Sequence, residues 1–431
     1  MTRDLEAALS AFAARPHPLS LRGHVKHYAW GGHQYLPELL GVDNPEGRPF
    51  GELWIGAHPS GPAEAALSGQ SVPLDELVLR HGDAILGPGS TRRFPTGLPY
   101  LLKVLDVRGM LSIQAHPTRQ QAEDGYRREE QAGVPLAAPS RCYRDRNHKP
   151  EAHVAVTDFY MLHGFKPLEA LDETLRTVPE LGGLMPDFGS RLRSAGGEET
   201  RRRQLVADLY RRAMTLPQPQ VDAALEPLLR RILAPYRAEK LDLLSPDFWA
   251  ARAALELPLP DGHRDRGIFS MYLLNLVRLS PGEGTYQPAG TLHAYLEGVT
   301  VEVMASSDNV LRGGLTPKHV DVAELLRTLS FDSGPPAVLR GQAVSASERA
   351  YPVPAREFLL CRHALDAGRP HPVAGPSGAD SLVVLEGDAW LEAQGTRLAL
   401  PRGASALVPA GVDYRLGSDS RALLFRASVP K

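Results

Sequence analysis

In the run SIQAHP, Gln114 and His116 are one residue apart, so on a β-strand both side chains project from the same face. An amide oxygen and an imidazole so placed are suited to holding one metal ion. The other reading is a polar stripe on a solvated strand face, and two residues are too few to separate the two. Downstream, DRNHKPEAHVAV crowds His148, Lys149 and Glu151 into the start of an apolar run. That stretch is either a solvated charged loop or the place where a carboxylate enters a barrel. A buried carboxylate is costly unless a cation meets it, so an inward Glu151 implies a positive partner.

The elements that must position these groups change character along the chain. From about Leu21 to Phe165, short apolar runs such as LPYLLKVLDV and EAHVAVTDFYML are broken by Gly, Pro and Asn, which suits strands joined by long loops. Between Glu169 and Leu257 the period lengthens. Val221, Leu225, Leu228, Leu229 and Ile232 recur at three- and four-residue steps, which predicts one helical face, with a kink or late start at Pro227. Ser245-Pro246 reads as a cap and first-turn proline for a further helix. Strand character returns at SMYLLNLVRLS and VTVEVMAS, and residues 333–336 read as a linker. The fold expected is therefore mainly β. One β unit (1–165 with 266–332) is split by a helical insertion (166–265), and a second β unit spans 337–431.

An internal repeat sharpens this. GEGTYQPAGTLH at Gly282–His293 and GASALVPAGVDY at Gly403–Tyr414 share a glycine, then Pro-Ala-Gly six residues on, then, after two intervening residues, a side chain that could point inward. The spacing resembles the second signature motif of cupin barrels, in which the last position is a metal-ligating histidine. The resemblance implies a bicupin, two jelly-roll-like barrels, with His293 as a ligand in the first. The second has Tyr414 instead, and SLVVLEGDAWLEAQG before it has no histidine, so it is expected to be metal-free. Gln114, His116, Glu151 and His293 then form an N, N, O, O set that suits one zinc ion per chain.

Taken in order, KHYAWGG, FGELWIGAHPSGPA, LLKVLDVRGMLSIQAHP, DRNHKPEAHVAV, PAGTLHAYLEG and ASSDNVLRGGLTPKHV resemble the motifs of type I phosphomannose isomerases from about residue 21 to 331. Two departures are visible: RGM stands where lysine-proline usually approaches LSIQAHP, and Ala152 follows Glu151 where Met is common. Neither touches a ligand. The resemblance implies zinc-dependent interconversion of mannose 6-phosphate and fructose 6-phosphate through an enediol, as part of mannose metabolism. Residue by residue, it implies Arg312, Lys149 and His148 as catalytic groups, and Lys103, Tyr295, Glu302, Asp308, Lys318 and Glu52 as substrate-binding ones. The proton-transfer base stays open among His148, Lys149 and Glu302, and Arg312 has an ion pair with Asp308 as its other reading. The same pocket would serve a non-catalytic phosphosugar-binding sensor. An iron cupin oxygenase would call for a facial His/carboxylate triad, and Gln114 and the surrounding cations speak against it.

Composition excludes other classes. A formal net charge of −2 offers no field for nucleic acid. Cys142 and Cys361 have no zinc-finger or Cys-x-x-Cys spacing. The glycines of HYAWGG lack dinucleotide spacing and no P-loop occurs, so neither ATP nor NAD is implied. The first residues, MTRDLEAALSAFAARPHP, lack a long apolar stretch, and no later one reaches membrane-spanning length. The expectation is a cytoplasmic monomer with a small-molecule phosphosugar as its partner, and neither a membrane nor a nucleic acid.

Overall fold

The computed structural model describes residues 3–430. Its first sheet runs from edge to edge through Leu274–Leu279, Phe159–Phe165, His293–Ala305, Tyr100–Val107, Glu52–Ile55 and His24–Lys26. Neighbours along this path are antiparallel. The long strand His293–Ala305 serves two sets of partners. Its first half pairs with Phe159–Phe165 and Gln114, and its second half pairs with Glu151–Ala155 and Tyr100–Val107. Gly298 sits at the changeover with φ of 123°, and a Cβ there would meet the Asp158 carbonyl at 2.4 Å. Only glycine lets the strand turn that corner.

Period-2 alternation sorts the side chains. Val301, Val303, Leu102, Val104, Ala152 and Val154 point outward into a core shared with Val383, Leu385, Leu407 and Phe425 of the C-terminal half. Their sequence neighbours point inward. Leu105, Ala155, Phe159, Met161, Val277 and Tyr295 fill the interior, and the polar residues Lys103, Glu151, His153 and Glu302 alternate with the outward set. Burying each large apolar side chain contributes roughly 1.5–3 kcal/mol, so a one-residue slip of any of these strands is strongly disfavoured.

Helices occupy the chain between Phe159–Phe165 and Leu274–Leu279, which pair with each other. Val221, Leu225, Leu228, Leu229 and Ile232 are all buried on one face of the helix Gln218–Arg237, which runs on through Pro227 instead of starting late there. Ser245 caps Pro246–Glu256, accepting from the Asp247 amide at 3.2 Å. This layer packs on Tyr160, Leu162, Ala294 and Leu296, which lie on the opposite face of their strands from Met161 and Tyr295. Among the described residues, the stretch read as strands and loops contains the short helix Tyr35–Leu40 and two long ones, Leu74–Arg93 and Arg119–Gln131. The last buries only Ala122 and Gly125, so no apolar period marks it, although Thr118 and Gln121 form a capping box.

A second sheet orders Gln342–Ala343, Glu348–Tyr351, Leu359–Leu365, Ala422–Ser428, Asp380–Glu386, Ser405–Val408, Leu19–Arg22, Glu64–Leu67 and Gln70–Pro73. Facing it is a sheet of His371–Val373, Tyr414–Gly417, Ala389–Ala393 and Thr396–Leu400, with Leu382, Val384, Leu391, Val408 and Leu424 between them. Leu19–Arg22, near the start of the chain, hydrogen-bonds into this C-terminal sheet with Leu19 opposite Leu407. Tyr100 stitches the halves from the other side, its buried hydroxyl donating to the Ala379 carbonyl at 2.8 Å. The two copies of the repeat share their turns: Gly282 and Gly403 have φ of 87° and 82°, and Gly290 and Gly411 have 78° and 74°. No helix among the described residues is long and apolar enough to cross a membrane.

Candidate active site

The Pro-Ala-Gly turn delivers His293 to the start of the long strand, and Gly290 is irreplaceable there because a Cβ would meet the Ser330 amide at 2.6 Å. Gln114 lies directly opposite His293, and Arg312 lies opposite Gln114 on the next strand. Residues opposite one another in an antiparallel ladder share a face, so His293, Gln114 and Arg312 form one row. Glu151 enters from the far side on its own strand, as an inward residue of the alternating pattern.

His116, Glu151 and His293 meet in a buried cluster. One Glu151 oxygen, Oε2, lies 3.4 Å from His116 Nε2 and 3.3 Å from His293 Nε2. The tautomers follow from the other ring nitrogens. His116 Nδ1 faces the Asn309 carbonyl at 2.8 Å and His293 Nδ1 faces the Thr291 carbonyl at 3.0 Å. A carbonyl only accepts, so each Nδ1 carries the proton and each Nε2 presents a lone pair. Both Nε2 atoms are buried without a hydrogen-bond partner, beside a carboxylate that has no proton to give. Burial pushes His116 down to about 4, which keeps the ring neutral. Burial works against the Glu151 anion, but the Lys149 ammonium opposes it, and the carboxyl is held well below its usual range. Two lone pairs and a carboxylate oxygen converging on one point fit a divalent cation, and Gln114 stands at the adjoining position of the ladder.

From this cluster opens a cavity of about 700 Å³, lined among others by Glu52, Trp54, Lys103, Lys149, Glu302 and Arg312. Its charges are fixed in pairs. Lys149 reaches Glu151 Oε1 at 3.0 Å, leaving Oε2 for the imidazoles. Lys103 donates to Glu302 at 3.0 Å and lies 3.7 Å from Glu52, whose carboxylate also accepts from Trp54 Nε1. The Tyr295 hydroxyl donates to the other Glu302 oxygen at 2.7 Å. Burial raises the Glu302 carboxyl despite Lys103. Burial acts against the Lys103 ammonium too, but Glu302 and Glu52 outweigh it and raise its affinity for the proton. At the other end Arg312 is half-buried, and no carboxylate among the described residues forms an ion pair with it. Burial, then the neighbouring Arg312 and Arg144, lowers the exposed Lys318 ammonium. These three cations form an anion-seeking end opposite the carboxylates.

Most residues singled out in the sequence meet here: Gln114, Lys103, Lys149, Glu151, Glu52, Tyr295, Glu302, Asp308, Arg312 and Lys318 all line the cavity, and His116 and His293 lie behind it. One expectation needs correction. His148 does not line the cavity; it lies in the loop before the strand Glu151–Ala155, with its Nε2 2.8 Å from Glu357 Oε1. The other reading of Arg312, an ion pair with Asp308, is not what the structure has. Asp308 lies at the rim, 3.5 Å from His58 Nε2, with its own amide held by Asp145 at 2.7 Å. Sequence reasoning missed Asn309, whose carbonyl fixes the His116 tautomer and whose side chain binds the Arg144 amide at 2.7 Å and the Asn147 carbonyl at 2.8 Å. It also missed Trp54, which the alternation with Glu52 in GELWIG signals, and the wall supplied by Glu256 and Leu257 at the end of a helix.

A family model described as phosphomannose isomerase type I, catalytic domain, matches residues 19–168. The mannose-6-phosphate isomerase of Salmonella typhimurium is 34% identical over 388 residues, 90% of this chain and 93% of that protein. The corresponding protein of Macaca fascicularis is 32% identical over 96% of this chain and 99% of its own length. Among solved structures, the Salmonella typhimurium mannose 6-phosphate isomerase bound to fructose 6-phosphate and zinc superposes with a TM-score of 0.82 at 32% identity, covering 96% of this chain and 100% of that one. A zinc-bound holo form of mannose 6-phosphate isomerase superposes with the same score.

Proposed function

This chain belongs to the type I phosphomannose isomerase family, and on that premise we propose that the cavity between Glu151, Glu302 and Arg312 is its active site. The chain is a zinc-dependent isomerase interconverting mannose 6-phosphate and fructose 6-phosphate. The observation that carries the site assignment is the pair of buried, partnerless Nε2 atoms either side of Glu151. His116, His293, Glu151 and Gln114 hold the zinc, which when bound supplies a Lewis acid for negative charge on the sugar oxygens.

The remaining roles follow from position. Moving a proton between C1 and C2 passes through an enediol and needs a proton carrier within the cavity. Of the three groups considered, His148 does not line the cavity and Lys149 is committed to Glu151. Glu302 lines the cavity, and its burial favours the protonated form, so we assign the transfer to it. Tyr295 and Lys103 fix its two oxygens. Arg312 offers a planar fork to oxygens that gain charge, Lys318 and Arg144 attract the phosphate, and Asp308 and Glu52 orient hydroxyls. The two matching sets of turns favour a bicupin, with the helices of 166–265 as an insertion whose Glu256 and Leu257 wall the cavity. The first barrel takes residues from 1–165 and 266–332 and the second from 337–431, although Leu19–Arg22 and the Glu64–Pro73 hairpin complete the second sheet. We place the enzyme in the cytoplasm as a monomer that binds neither nucleic acid nor membrane.

Isomerisation in deuterated water tests the proton-transfer reading. A carboxyl that carries the C2 hydrogen exchanges with solvent during some turnovers, so product is expected to contain solvent-derived deuterium at the carbon that receives it. Product wholly free of label at full conversion speaks for direct hydride transfer and removes the role assigned to Glu302.

A further inference from the structure

The C-terminal half contains a second buried cluster that the isomerase chemistry does not use. Glu348 and His363 lie directly opposite each other on neighbouring strands, so their side chains share the inner face of the second sheet. His371 reaches them from the facing sheet, with Nε2 3.0 Å from Glu348 Oε2. The His363 and His371 ring centroids are 5.2 Å apart, and His363 Nε2 lies 3.9 Å from Glu348 Oε1. Glu348 and His363 are buried, and His371, with 11% of its side chain exposed, is the one of the three most open to solvent. Of the two His363 nitrogens, Nδ1 is fully buried with no partner.

Charge bears on what this cluster accepts. Arg426 lies beside it, donating to Glu348 Oε1 at 2.7 Å, to Asp380 Oδ2 at 3.1 Å and to His363 Nε2 at 3.3 Å. Two carboxylates and one guanidinium leave a net charge of about −1 among buried groups, a state that favours a further cation. Arg426 occupies Oε1 of Glu348 and leaves Oε2, the oxygen facing His371. We propose that Glu348, His363 and His371 form a second divalent metal site of zinc-like preference, weaker than the catalytic one. Two imidazoles, one carboxylate oxygen and a water complete four-coordination there. Arg426 is the reason it is weaker: its charge opposes a dication, and His363 must yield the Arg426 N–H to bind one. The catalytic cluster has instead two free lone pairs. The ion would clamp the two sheets of the C-terminal half together, far from the sugar. The expectation of a metal-free second barrel rested on Tyr414 in the place of His293, but these ligands come from other strands.

Metal-stripped enzyme dialysed against rising zinc, with bound metal counted by elemental analysis, tests this. Wild type is expected to bind two zinc ions per chain in two steps, with full turnover restored by the first. His371→Ala and Glu348→Gln should each lose the second step, weakening it by more than roughly 100-fold, and keep the first and its turnover, because removing outer partners alone costs 10–100-fold in metal affinity. Retained turnover shows that each variant has folded. His293→Ala should lose the first step and keep the second. A single zinc in wild type at saturation overturns the proposal, as does a second zinc that persists in both His371→Ala and Glu348→Gln.

Discussion

His293→Ala is expected to abolish tight zinc binding at the catalytic centre and to lower turnover by roughly 10³-fold or more. The imidazole supplies one of two lone pairs that converge on Glu151 Oε2, and its Nδ1 proton is anchored on the Thr291 carbonyl, so no other side chain replaces it. Loss of the Lewis acid removes several kcal/mol of charge stabilisation, and about 1.4 kcal/mol corresponds to each factor of ten in rate. The comparison is Tyr414→Phe, at the same place in the second copy of the repeat. Tyr414 donates to Asp380 at 2.7 Å and faces no catalytic ligand, so that change should leave both the catalytic zinc and the turnover intact. Zinc content and initial rates measured on the two variants decide the matter. His293→Ala with full zinc and near-normal rate would show that the cluster is not the metal centre.

Arg312→Ala is expected to lower turnover by roughly 10²–10³-fold with zinc retained, the scale for losing one preorganised group aimed at developing charge. The guanidinium lines the cavity two ladder positions from His293, outside the metal cluster and, among the described residues, without a carboxylate partner. Its charge is thus available to the substrate. Arg312→Lys should recover only part of the rate, because an ammonium restores charge but not the planar fork. Near-normal turnover of Arg312→Ala with zinc bound would make the arginine a bystander.

How far the site could be read from the sequence depended on whether local periodicity reached it. Gln114 and His116, Lys149 and Glu151, and Glu302 with its apolar neighbours lie on or beside strands, where a period of two states which side chains share a face. His148 was misplaced because it lies in the loop before Glu151–Ala155, where a period of two does not say which way a side chain points. The base could not be chosen from sequence, since Glu302 is distinguished by burial and by partners on other strands, Lys103 and Tyr295. Asn309 was invisible for a different reason: it works through its backbone carbonyl and through loop amides that no spacing announces. In the fold, the buried face of Gln218–Arg237 and the cap at Ser245 were legible because both are local. The pairing of Leu19 with Leu407 was not, because nothing in a short stretch specifies a partner almost a chain length away. The Glu348, His363 and His371 cluster was missed for the same reason, as its ligands come from three strands and form no motif.

The central claim is that this chain isomerises mannose 6-phosphate with one zinc held by His116, His293, Glu151 and Gln114. The most direct test is coupled turnover of mannose 6-phosphate by enzyme stripped with chelator and then titrated with zinc. Activity should vanish on stripping and return in proportion to zinc, reaching its plateau at one equivalent per chain. Stripped enzyme that keeps its activity with no metal bound, or wild type that binds mannose 6-phosphate and zinc without forming fructose 6-phosphate, would contradict it.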